Sequence, residues 1–150
     1  MVIDSLIVPQ TLIKPQSLAG LITLYESNYL RLMQLFAEVR DFDGTRTSHV
    51  NGDLALHASL TDEARYTRTF TLSYRFADDE TGADVDEPGM TIRVYLDANL
   101  AEAMALSKRY VDRLLGPSAQ AHFKELDSRW ARNSMLNKWL EYLDDRGHRL

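Results

Sequence analysis

The residues best suited to chemistry form a short polar row in MTIRVYLDANLAEAM, residues 90–104. Met90, Ile92, Val94 and Leu96 alternate there with Thr91, Arg93, Tyr95 and Asp97. That two-residue period is the mark of a strand with one buried and one wet face. Arg93, Tyr95 and Asp97 are then expected on the wet face at i, i+2 and i+4, over about 13 Å at ~3.3 Å per residue. Arg offers a planar fork for carboxylate or phosphate. Tyr offers a stacking face with a polar tip. With Glu102 close by, the row is the first candidate for holding a nucleotide-sized anion. The competing reading is an Arg–Asp cross-strand pair on a solvated face. Asn28, between Leu24 and Leu32 on an apolar helical face, is a further candidate. Its side chain either meets a ligand or satisfies a nearby backbone group.

Other chemistries find little support. The four histidines, His49, His57, His122 and His148, form no HxH or HExxH pair, so no metal site is expected. Asp84, Asp86 and Glu87 lack the spaced ligand set of a calcium loop. No GxSxG, phosphate-binding loop or GxGxxG occurs. No Ser or Thr stands beside a recognisable base and orienter, so catalytic residues stay unassigned. No cofactor is expected.

These residues need elements to position them. Residues 1–16 carry Pro9 and Pro15 and read as irregular. Ser17 suits the N-cap of a first helix. Leu18, Leu21, Ile22, Tyr25, Tyr29, Leu32 and Phe36 recur at helical spacing, which predicts a helix to about Glu38, ended by Asp41–Gly44. Leu54, Leu56, Ala58 and Leu60 alternate weakly, with His57 among them. Arg65–Phe76 is a stronger strand, with Tyr66, Arg68, Phe70, Leu72, Tyr74 and Phe76 on one face and Thr67, Thr69, Thr71, Ser73 and Arg75 on a wet one. Ala77–Gly89 reads as an acidic loop before the polar row. Leu100–Leu106 reads as either helix or hairpin strand, the latter through a turn at Asp97–Asn99. Gly116-Pro117 breaks the chain. Leu136, Trp139, Leu140 and Leu143 mark a last helix, with Gly147 just past its end. Trp130, nearer its start, is expected in packing, with an exposed docking role as the alternative. The sum is α+β: an antiparallel sheet of about four strands, flanked on one side by an N-terminal and a C-terminal helix. Residues 17–150 are expected to form one domain.

Composition narrows the setting. The chain has 150 residues, 45% of them apolar, and no cysteine. It therefore has material for a core, and it has no disulfide or thiolate chemistry. A formal charge of −5 argues against nucleic acid or acidic membrane as partner. The start lacks the basic region of a signal peptide and no run suits a membrane span, so a cytoplasmic location is expected.

Four blocks in order resemble the YqiB-like family, uncharacterised bacterial proteins of about this length. They are YESNYLRLMQLF (25–36), RYTRTFTL (65–72), IRVYLDANLAEA (92–103) and NSMLNKWLEYL (133–143). The resemblance covers roughly residues 18–145. It implies that Leu100–Leu106 is a hairpin strand, with a short helix possible from Ser107 to Leu115. Its shared polar positions are Glu26, Asn28, Tyr29, Tyr66, Thr67, Arg93, Tyr95, Asp97, Glu102, Asp127 and Asn133. Leu96 stands where the family usually has His, and Asp127-Ser128-Arg129 where it has Asp-Glu-Lys. Both departures weigh against an acid–base enzyme.

The expected function is a non-enzymatic module that binds a small anionic metabolite or a protein partner. The alternative is an enzyme acting on a phosphate-bearing small molecule or nucleotide, with Arg93 as the clamp and Asp97 or Glu102 as acid or base. The oligomeric state is left open, with self-association through a sheet edge or the Trp-bearing helix as a third reading.

Overall fold

The computed structural model describes residues 17–77, 80–106 and 125–150. The irregular segment expected over 1–16 and the short helix expected over 107–115 lie outside the described residues. Helix α1 spans Leu18–Leu35, and its N-cap is Ser17, whose Oγ accepts the Gly20 N–H at 3.1 Å. The helix ends three residues before the expected Glu38. Phe36, Val39 and Phe42 are all buried. A spacing of three suits tight turns, and Val39 N–H bonds to Phe36 O there, as Asp41 N–H does to Glu38 O. The buried stripe also differs from the expected one. Leu18 and Ile22 are exposed, while Leu24 and Asn28 are buried.

Among the described residues the sheet has five strands rather than about four, in the order β1-β2-β3-β4-β5, every neighbour antiparallel. The strands are β1 (Thr45–Ser48), β2 (Ala55–Glu63), β3 (Thr67–Ala77), β4 (Asp84–Tyr95) and β5 (Leu100–Leu106). The added strand, β1, is only four residues long, too short to declare an alternation. The expected acidic loop is also shorter than its sequence suggests, because β4 already begins at Asp84. Arg75 and Asp86 face each other across the strands, with Nε–Oδ1 2.9 Å and Nη2–Oδ2 3.2 Å. The ladder passes Pro88 at a bulge between Leu72 and Tyr74 of β3, where a missing N–H is tolerated. Leu100–Leu106 is strand, reached by a tight turn in which Asn99 has φ 55°, a left-handed conformation that Asn accepts.

Helix α2 (Glu125–Asp145) ends in a double bond from the turn beyond it: Gly147 N–H to Asp144 O at 3.0 Å and His148 N–H to Leu143 O at 3.0 Å. Gly147 has φ 90°, which is the conformation that closure requires. Both helices contribute to one core with a single face of the sheet. Leu32, Leu35, Leu136, Leu140 and Leu143 meet Leu56, Ala58, Phe70, Leu72, Ile92, Val94, Ala101 and Ala103. Phe36, Phe42 and Phe70 cluster at its centre, with ring centroids 4.6 to 5.9 Å apart. The opposite face carries the Thr/Ser row of β3. It is not wet throughout: Thr69 and Ser73 are buried. Both are short side chains standing next to longer cross-strand neighbours, Arg93 and His57.

Candidate functional site

The geometry separates the expected site residues. Arg93 and Tyr95 lie on the outer sheet face, and Glu102 stands directly across from Arg93 in the β4–β5 register. Asp97 does not join them. β4 ends at Tyr95, and Asp97 sits exposed in the turn Leu96–Asn99. The row is therefore two residues of β4 and one of β5, not three of one strand. Arg40 fixes that turn from outside, donating to Leu96 O at 2.7 Å and Asn99 Oδ1 at 3.2 Å.

Glu102 is 7% exposed, and its carboxylate accepts two phenol hydroxyls. Tyr95 donates to Oε1 at 2.7 Å and Tyr25, from α1, donates to Oε2 at 2.9 Å. Both phenols are pushed above their ordinary pKa, first by burial, then by the bond to Glu102 and its charge. Their protons stay in place, so they act as donors and not as bases. Arg93 opposes the rise at Tyr95. Its own Nε donates to Thr69 Oγ1 at 3.2 Å. Among the described residues Arg93 forms no ion pair, and the carboxylate opposite it accepts from the two phenols. What the arrangement offers is a half-buried guanidinium, bonded to Thr69 and Tyr95, with further N–H donors to spare.

Asn28 is fully buried, and its polar atoms meet protein groups. Its Nδ2 donates to Ala101 O at 3.4 Å and to Asn133 Oδ1 at 3.2 Å, and its Oδ1 accepts from Asn137 Nδ2 at 3.0 Å. Asn133 Oδ1 in turn accepts the Ala103 N–H at 2.7 Å. Ala101 and Ala103 flank Glu102. The two asparagines thus meet the outer edge of β5 and hold the backbone on either side of the carboxylate. Trp130 packs half-buried against Leu21, Leu24 and Tyr25, and its Nε1 donates to Ser17 O at 3.0 Å.

Two residue sets escape a sequence reading. Tyr25 reads as one more core aromatic, since nothing local tells that its hydroxyl meets a carboxylate 77 positions away. The second set is Ser48, His148 and Asp53. His148 is fully buried, with Nδ1 2.9 Å from Ser48 Oγ and Nε2 2.9 Å from Asp53 Oδ2. The order is that of a nucleophile, base and orienter. Ser48, however, is 5% exposed and also accepts the Arg149 N–H at 3.0 Å. Together with the Leu150 N–H bond to Leu35 O at 2.9 Å, the set fastens the C-terminal residues to β1 and α1. Among the described residues no three His, Asp or Glu side chains gather to hold a metal ion, and no helix is long and apolar enough to cross a membrane.

A family model described as "Protein of unknown function (DUF1249)" matches residues 31–149. Comparison with curated proteins and with solved structures gives no match.

Proposed function

The chain belongs to the DUF1249 family, and we propose that it is a small non-enzymatic module that binds an anionic metabolite at Arg93. One observation carries the reading. Arg93 faces Glu102 across the strands, yet among the described residues the two form no ion pair, while Tyr25 and Tyr95 each donate to one carboxylate oxygen. A half-buried guanidinium left with open donors suits a bidentate oxyanion, phosphate or carboxylate. Tyr95 supplies the neighbouring aromatic surface, and Thr69 orients the Arg93 side chain through Nε. Asp97, in an exposed turn, and Asn28, inside the helix–sheet contact, have no part in this reading. The finer likeness to YqiB-like bacterial proteins, and work in a reducing cytoplasm suggested by the absence of cysteine, belong to the same proposal.

An enzyme acting on a phosphate-bearing substrate would need a base within reach. Glu102 would have to leave two phenols to serve, and both phenols hold their protons too tightly. The binding reading is tested by thermal unfolding with inorganic phosphate, pyrophosphate and citrate. At ~100 times its dissociation constant a ligand adds about 2.7 kcal/mol, a rise of roughly 5–10 °C for a chain of this size. The rise should vanish in Arg93→Ala. No rise with any of the three anions sinks the proposal.

A further inference from the structure

On the helix side of the sheet, away from Arg93, lies a groove of about 580 Å³. That is within the range of small-molecule sites, roughly 300–1,000 Å³. Among the described residues its wall is apolar and aromatic, built from Tyr74 and Met90 of the sheet and from Met135, Trp139 and Tyr142 of α2. Tyr74 and Trp139 meet edge-on, with centroids 5.6 Å apart. Tyr142 is 48% exposed. Methionine and aromatic side chains of this kind adapt to an apolar body of variable shape.

The charge on the groove's described lining has one sign. Lys138 is the charged residue among the described lining, and it makes no ion pair or hydrogen bond with another described residue. No Asp or Glu belongs to that lining. A groove with an apolar floor and, among the described residues, a lone cation at its rim complements an amphipathic anion. A neutral hydrocarbon would leave Lys138 unanswered, and an amphipathic cation would be repelled by it.

We propose that this groove binds a small amphipathic monoanion, a carboxylate on an apolar chain, with the chain against Met135 and Trp139 and the carboxylate at Lys138. The site is independent of the Arg93 reading, since it lies on the opposite face of the sheet and uses none of its residues. The probe is decanoate, followed by the methionine methyl resonances of the whole protein. The expected result is a saturable shift of the Met135 methyl with decanoate and a much smaller one with decylammonium. Lys138→Gln, at an exposed position, should weaken decanoate roughly tenfold, about 1.4 kcal/mol, without lowering thermal stability. Arg93→Ala should leave the response intact. An unmoved Met135 methyl overturns the proposal, and that is the outcome if the chain itself or a protein partner covers the groove. Equal responses to decanoate and decylammonium, or loss of the response in Arg93→Ala, overturn it as well.

Discussion

Arg93 and Glu102 are register partners, and opposite charges so placed ordinarily pair. Here no ion pair joins them, and Glu102 accepts from two phenols instead. Each O–H···carboxylate bond is charge-assisted and shielded from water, which makes it stronger than a surface ion pair. The Tyr25→Phe, Tyr95→Phe double variant should release Glu102 to swing onto Arg93. Calorimetric titration with pyrophosphate should then show affinity lowered roughly tenfold, about 1.4 kcal/mol. Unchanged affinity would mean that the phenols do not keep the guanidinium open. The sequence announced Arg93, Tyr95 and Glu102 through alternation and proximity. It did not announce Tyr25, because a helical tyrosine between Leu24 and Glu26 carries no local sign of a partner 77 residues away.

At the scale of elements, the outer edge of β5 is where sequence reading and structure diverge most usefully. An open strand edge invites pairing with another chain. Here Asn28 and Asn133 accept and donate to the Ala101 and Ala103 backbone, so two helices cover the edge with side-chain amides. Asn133→Ala would leave the Ala103 N–H and the Asn28 amide buried without this acceptor. A loss of about 2–3 kcal/mol is expected, measured as a lower urea midpoint with an unchanged slope. A loss below ~0.5 kcal/mol, the usual range for a plain surface change, would show the edge to be satisfied otherwise. Helical period and strand alternation made α1, β3, β4 and α2 legible. β1 was not, because four residues hold no pattern. The start of β4 was hidden by its acidic composition, which reads as loop until the Arg75–Asp86 pair is seen across the strands.

For the whole molecule, the two sheet faces have different fates. One meets both helices in an apolar core, which the apolar parity of β3 and β4 foretold. The other carries Thr, Ser, His57 and Arg93, and its partial burial follows from cross-strand neighbours that no single strand reveals. His57 is 8% exposed. Burial first, then the Arg75 charge, hold its pKa below the ordinary 6.5, with Asp86 opposing. The unfolded chain therefore takes up that proton more readily than the folded one. The His57 contribution is complete above 6.5 and is lost as pH falls from 6.5 toward the folded pKa. Urea midpoints should drop on acidification from near pH 7 to near pH 5, and His57→Asn should reduce the drop. A drop of equal size in both proteins would remove His57 as its source.

The anion site at Arg93 is the central claim, and its most direct test is the guanidinium itself. Arginine Nε–H resonances of the protein would be followed during titration with pyrophosphate, with Arg93→Ala to assign the reporting signal. The account predicts a saturable shift of one resonance that is missing from the variant. Resonances that stay still at millimolar pyrophosphate, or a shift that persists in Arg93→Ala, would contradict it.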